Sequence, residues 1–328
     1  MPSNPSSSVS GADASGGDSG DHGPVPQHPS PVSDDMVSAL VKTFTIAHAD
    51  DSDEHLAQAL VFNAGRMAWR MREAGLQTEQ KTSVSDVVTA ADRVAEAFVA
   101  GVLANVRPED GILGEEGAAR PSTSGRVWVI DPVDGTYNFS TGSDYWCSAL
   151  ALVEGDPDDP SRLIFGAVHR PAMGYTWFGG PEIPTTLDGK AVAGFGSPDS
   201  FGHDATNSAP ELSGPPCELT CLGGYLHPSD FATPAVCDTW VSVAESFATV
   251  RMLGSASVDL GCVSTGQIGC WMQHSVASWD WLPGCALVEG AGGAAERVAS
   301  GGLEWFVAGS PRAVAQVRRV LREGGAAG

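Results

Sequence analysis

Four apolar residues, Val127 to Ile130, run without a break into Asp131. A short unbroken apolar run reads as a strand covered on both faces. A chain holding such a strand must supply helices or further sheet for each side, which points to a layered α/β arrangement. The same strand delivers a carboxylate at its end. Pro132 then holds the chain in a turn, and Asp134, Gly135 and Thr136 follow.

Two carboxylates three residues apart on a rigid turn can face one point. Left alone they repel and raise a pKa. A divalent cation removes that cost, and hard oxygen ligands favour Mg²⁺. Asp-Pro followed by Asp-Gly is also an ordinary surface turn, so the pair needs company to mean more. GILGEE, residues 111–116, places Glu115 and Glu116 at another strand end, and SWDWLPGCALVEGAGG, residues 278–293, places Asp280 at the start of an apolar helix.

The rest of the chain frames these segments. Residues 1–34 are Ser, Gly, Pro and Asp with little to bury, and read as a disordered tail. A domain is expected over 35–325. Helical spacing runs from Leu56 to Met71 with Gly75 as a stop, and a second helix is expected through AADRVAEAFVAGVLANV. Strands are expected at GILGEE, at RVWVID ending on Asp131, and at 145–153, 163–169 and 174–179. Residues 195–216 read as a loop insertion. Beyond it strands and helices alternate: ELTCLG, a helix over about 230–247, TVRMLG, a helix from Ser257, IGCWMQ, a helix opening at WDWLPG with Pro283 in its first turn, LEWFVAG, and a helix from Pro311. Consecutive strands in about 50–190 and alternation in about 217–325 predict two α/β sub-domains sharing an interface.

Composition narrows the function. The net charge is −22, with 18 basic residues against 40 acidic, which excludes most nucleic-acid binders and a polybasic membrane role. Nine of those acids fall in residues 1–54 against Lys42 alone. Apolar runs stop well short of a bilayer span, and the first residues lack the features of a secretory signal. Seven cysteines in no framework spacing suit a reducing compartment, the cytoplasm. The chain has neither a G-x-S-x-G elbow nor a G-x-x-x-x-G-K-[ST] loop.

GEE at 114–116, DPVDGT at 131–136 with its apolar lead-in, and WD at 279–280 with the distal AGG stand in an order that resembles the inositol monophosphatase-like family of lithium-sensitive, magnesium-dependent phosphatases. SDVVTAADRV (85–94) and GSAS (254–257) resemble two further family segments. The resemblance covers about residues 50–325 and implies an α+β, αβαβα layered sandwich with the active site at the interface of the two sub-domains. It implies that Glu115, Asp131 and the Val133 carbonyl hold a first Mg²⁺, and that Asp131, Asp134 and Asp280 hold a second. Asp92, with Glu115, would serve a third, weaker site, and Lys81 would lie on a loop nearby. Thr136 with Glu115 would orient an attacking water, with Asp134 completing the catalytic set. Two cations about 3.5–4 Å apart stabilise both the attacking and the leaving oxygen of an in-line displacement. Gly135 and Thr136 are expected to open a short helix whose N–H groups face the phosphate, Gly135 allowing close backbone approach.

Substrate choice falls by position to Gly254, Ser255, Ala256 and Gln273, beside Gly135, Thr136 and Asp280. Inositol-selective relatives usually carry a carboxylate where this chain has Gln273, an amide that donates and accepts without charge. The expected reaction is hydrolysis of a small polyol or amino-alcohol phosphate, inositol 1-phosphate first. Histidinol-phosphate phosphatase and fructose-1,6-bisphosphatase activity are the alternatives. A non-enzymatic binding protein is disfavoured, because a retired site has no use for mutually repelling carboxylates. The resemblance also implies a homodimer acting on a small phosphorylated metabolite.

Overall fold

A computed structural model describes residues 34–75, 78–80, 87–195 and 219–325. The N-terminal tail up to residue 33, Lys81 and the insertion from residue 196 lie outside the described residues.

The helices are α1 (Asp34–Ala47), α2 (Asp53–Glu73), α3 (Ala90–Val106), α4 (Thr136–Ser140), α5 (Pro234–Ala244), α6 (Ala256–Ser264), α7 (Ser278–Gly290) and α8 (Pro311–Gly325). The first strands are β1 (Thr78–Gln80), β2 (Val87–Thr89), β3 (Gly111–Gly114), β4 (Ala119–Arg120), β5 (Arg126–Asp134), β6 (Cys147–Asp156), β7 (Asp159–Arg170), β8 (Tyr175–Gly180), β9 (Ile183–Leu187) and β10 (Lys190–Ala191). The last are β11 (Leu219–Gly223), β12 (Phe247–Arg251), β13 (Cys270–His274), β14 (Ala294–Ser300) and β15 (Leu303–Gly309).

An eight-stranded sheet runs β10-β9-β8-β7-β6-β5-β3-β4, and a five-stranded sheet runs β12-β11-β13-β15-β14. Side chains of β5 alternate between two cores. Trp128 and Ile130 pack with Leu56 and Leu60 of α2 and Phe98 of α3, while Val127 and Val129 pack with Val258 and Leu260 of α6 and Leu287 of α7. The second core continues to Trp271 and Phe306 of the smaller sheet, whose other face is covered by Trp240 of α5 and Val314 and Leu321 of α8. The layers are therefore helix, sheet, helix pair, sheet, helix, as the unbroken apolar run of β5 demands. The middle pair is enclosed on all sides: every residue from Ser257 to Ser264 is buried, and so is every residue from Trp281 to Val288. Helices apolar all round are what a sandwiched layer requires.

Three local expectations are corrected. β5 continues past Asp131 to Asp134, with its register on β6 shifting between the two aspartates. A bulge is where Pro132 can sit in a sheet without forfeiting a ladder bond. Pro283 lies inside α7, not in its first turn, because the helix opens at Ser278 behind the N-cap Ala277. Its missing N–H leaves the Trp279 carbonyl without its helical donor. The Pro283 carbonyl lies against Gly166 of β7 so closely that a Cβ there would collide with it. Finally, α1, β1, β2, β4, β9, β10 and β14 extend the architecture beyond the expected elements.

Candidate active site

The bulge of β5 sets the site. Asp131 and Asp134 leave the same strand on either side of the register shift, and both are almost fully buried. Asp280 approaches from the first turn of α7. Carboxylate oxygens of Asp131, Asp134 and Asp280 lie within 4.8 Å of one another. Burial pushes the Asp131 carboxyl well above the usual carboxylate range, and the charges of Glu115, Asp134 and Asp280 push it further. Asp280 is raised well above it too, by burial and then by Asp134 and Glu115. Acids gathered this closely, with no arginine or lysine among the described residues that line the cleft, form a donor set that could hold a cation.

Each acid is held in place by its neighbours. The Val133 N–H donates to Asp131 Oδ1 at 3.1 Å, fixing the carboxylate over the bulge. Asp134 accepts the N–H groups of Ala256, at 3.1 Å, and Ser257 at the start of α6. Burial raises the Asp134 pKa, while those donors oppose the rise. The larger sheet's strand β5 is thereby tied to α6, which also packs against β13 and β15 of the smaller sheet.

Glu115 is held from behind. The Glu96 carboxylate of α3, nearly fully buried, accepts the Glu116 N–H at 2.8 Å and the Ala118 N–H at 2.7 Å. One helical turn earlier on the same face, fully buried Asp92 lies 3.0 Å from the Thr136 hydroxyl, which also reaches the Val133 carbonyl at 2.9 Å. A single face of α3 thus positions both the Glu115 turn and Thr136.

Gly135 has φ of +95°, and a Cβ there would stand 3.0 Å from the Gly254 carbonyl oxygen and 3.1 Å from that of Tyr145. The close approach at this glycine is between protein segments, where a phosphate was expected. The Asn138 amide reinforces it by donating to the carbonyls of Leu253 and Tyr145, at 2.7 and 2.9 Å.

A cleft of about 450 Å³ gathers the expected residues Glu115, Asp131, Val133, Asp134, Gly135 and Thr136 with Gly254, Ser255, Ala256, Gln273 and Asp280. Asp92 stands behind Thr136. Within the cleft Ser255 is buried, its hydroxyl 3.8 Å from the Cys147 sulfur, and the Ala256 N–H is committed to Asp134. The cleft also holds Tyr137, Tyr225, His227, Met252, Leu253 and Asp259. None of these is among the site residues expected from the sequence. Asp259 accepts the Tyr145 hydroxyl at 2.6 Å, and burial pushes its carboxyl up to about 7. Its signal was available, since Asp259 falls one turn into the helix that GSAS announces. Glu96 was equally legible, four residues after Asp92 on one helix face. His274, next to Gln273 on β13, is engaged by Asp230 at 3.1 Å.

Comparison with known proteins now adds the lineage. Residues 50–327 match the inositol monophosphatase family. The chain belongs to that family. Its members are phosphatases that hydrolyse phosphomonoesters, and this chain is an enzyme of that class. It is 29% identical over 245 residues to a histidinol-phosphatase of Mycobacterium tuberculosis, covering 74% of this chain and 85% of that one. It is 27% identical over 215 residues to a fructose-1,6-bisphosphatase/inositol-1-monophosphatase of Thermotoga maritima, covering 66% and 73%. Among solved structures, the extragenic suppressor protein suhB of Bartonella henselae shares the fold with a TM-score of 0.67 at 22% identity, over 82% of this chain and 98% of that one. No helix among the described residues is long and apolar enough to cross a membrane.

Proposed function

We propose that this protein is a Mg²⁺-dependent phosphomonoesterase acting on a small polyol or amino-alcohol phosphate. The observation that carries the reading is the cluster of Asp131, Asp134 and Asp280 carboxylates within 4.8 Å of one another, the first two buried and the third half-buried, with Glu115 beside them. Those four side chains, the Val133 carbonyl and, at a further site, Asp92 would hold two or three Mg²⁺ ions. Bound cations supply electrostatic stabilisation of the charge on the attacking and leaving oxygens.

The chain's own groups do the rest. Thr136, donating to buried Asp92, keeps its oxygen lone pairs available to accept a hydrogen bond from the attacking water and so orient it, with Glu115 as the second partner. Asp134 is held rigid by the N–H groups of α6, so its oxygens need no reorganisation as charge moves. Gly254, Ser255, Ala256 and Gln273 would meet the alcohol. The same reading carries a homodimer, and six described cysteines, all free, support a reducing, cytoplasmic setting.

The relatives divide between inositol phosphate, histidinol phosphate and fructose bisphosphate in their names. Gln273 in the cleft favours keeping histidinol phosphate beside inositol 1-phosphate, since an uncharged amide gives no special hold on a ring of hydroxyls. Phosphate release from these three esters with Mg²⁺, with and without Li⁺, beside Asp131→Asn, tests the reading. Release that needs Mg²⁺ and fails in Asp131→Asn is expected; silence on every ester, or an undiminished Asp131→Asn, overturns it.

A further inference from the structure

The part of the cleft beyond the acids has a chemistry of its own. Tyr137, Tyr225, His227, Met252, Leu253 and Gln273 line it, and the lining carboxylates all belong to the acid cluster or to buried Asp259. Tyr137 is 49% exposed, and Met252 and Leu253 are 40% and 38% exposed, so their apolar surface is offered to whatever enters. These walls are fixed in advance. Asn138 pins the Leu253 and Gly254 carbonyls at 2.7 and 3.2 Å, and His227 is held as an N-cap, its N–H donating to Asp230 at 2.8 Å and its Nδ1 2.7 Å from the Ser229 hydroxyl. Tyr137 and Tyr225 line the same cleft, and burial raises the Tyr225 phenol.

Such walls suit one class of alcohol better than another. A polyhydroxylated ring brings a donor and an acceptor at every carbon, and each one left unmatched on desolvation costs binding. Two phenols, one imidazole and one amide cannot match that many. Aromatic faces with thioether and isobutyl groups instead suit a flat π-system, which stacks without needing a hydrogen bond for each atom.

We propose that the substrate is the phosphate monoester of an alcohol carrying a flat heteroaromatic ring, seated against Tyr137 and Tyr225. The inference rests on the phosphomonoesterase reading. In the reaction the water oxygen forms a new bond to phosphorus, the bond from phosphorus to the alcohol oxygen breaks, and a proton passes to that oxygen. The products are inorganic phosphate and the free ring-bearing alcohol.

The test measures kcat/KM with saturating Mg²⁺ on four esters: histidinol phosphate and adenosine 2′-monophosphate, which carry rings, and inositol 1-phosphate and glycerol 2-phosphate, which do not. At least one ring-bearing ester is expected to lead both ring-free esters by about ten-fold, and the better of the two tells an imidazole from a purine. Tyr137→Ser, at an exposed position that folding tolerates, and Tyr225→Leu should each shrink that ratio by about ten-fold. Inositol 1-phosphate or glycerol 2-phosphate matching the best ring-bearing ester, or a ratio unchanged in both variants, overturns this inference and leaves the phosphatase reading standing. Silence on all four esters overturns both.

Discussion

Asp131→Asn should stabilise the protein while disabling it, provided metal is withheld. Two carboxylate charges 4.8 Å apart repel by about 3.5 kcal/mol at an effective dielectric constant near 20. Asp131 faces Asp134, Asp280 and Glu115 at once. Asparagine keeps the Oδ1 that accepts the Val133 N–H at 3.1 Å, so the bulge retains its hydrogen bond and loses only the charge. Because the folded-state pKa of Asp131 is raised, its contribution to stability is full below the unfolded value near 3.8 and is lost as pH climbs through the folded one. At pH 8 in a chelator the variant should therefore unfold at a higher temperature than wild type. After relaxation and partial protonation of the neighbours, a gain of about 3 kcal/mol corresponds to a midpoint several degrees higher, at roughly 2 °C per kcal/mol for a chain of this size. Adding Mg²⁺ at a hundred times its dissociation constant should return about 2.7 kcal/mol to wild type and much less to the variant, closing or reversing the gap. Thermal melts of both proteins at pH 8, with chelator and with Mg²⁺, read this directly. A variant that melts below wild type in chelator, or a wild type indifferent to Mg²⁺, refutes the reasoning.

Three further outcomes follow from individual contacts. Glu96→Gln should raise the Mg²⁺ concentration for half-maximal activity about ten-fold with little change in KM for the ester, because one of the two N–H groups holding the Glu115 turn loses its acceptor; titrating the rate with Mg²⁺ and measuring Mg²⁺ binding by calorimetry check it, and a change confined to KM speaks against it. Gly135→Ala should cost about 2 kcal/mol, since φ is +95° and the new Cβ meets two carbonyl oxygens at 3.0 and 3.1 Å; a urea midpoint equal to wild type would show that the segments part easily. Asp259→Asn in metal-free protein should gain on wild type as pH rises from 4.5 to 7.5, by up to about 3 kcal/mol, because a carboxyl at about 7 in the fold against an ordinary 3.8 destabilises the folded chain across that window; a pH-independent difference in melts contradicts the burial argument.

What could be read in advance was whatever depends on local chemistry. α3 coincides with the segment AADRVAEAFVAGVLANV, because its apolar spacing and the proline beyond it leave little choice. The layered order was readable from β5, where four apolar residues in a row need cover on both sides. β14, by contrast, spans AAERVAS, which has no apolar run, and it is a strand because seven residues pair with β15. α1 carries Val37, Val41 and Phe44 at helical spacing against the α2 and α3 core, a signal outweighed by the polar tail that precedes it. In the site, Glu115, Asp131, Asp134 and Asp280 were visible because each falls within a short motif, GEE, DPVDGT or WD. Glu96 and Asp259 carried only their helical placement as a signal, since what they touch lies 20 or more residues away in the chain, and the Tyr225 wall carried no local signal.

The central claim is that the acidic cluster works only as a cation centre for phosphomonoester hydrolysis. Its most direct test strips the protein of metal, then follows phosphate release from histidinol phosphate and glycerol 2-phosphate as Mg²⁺ is returned, for wild type and for Asp280→Asn. The account predicts no release in chelator, saturable recovery in wild type, and a loss of about a hundred-fold or more in Asp280→Asn. Release that persists in chelator, or an Asp280→Asn enzyme as active as wild type, would contradict it.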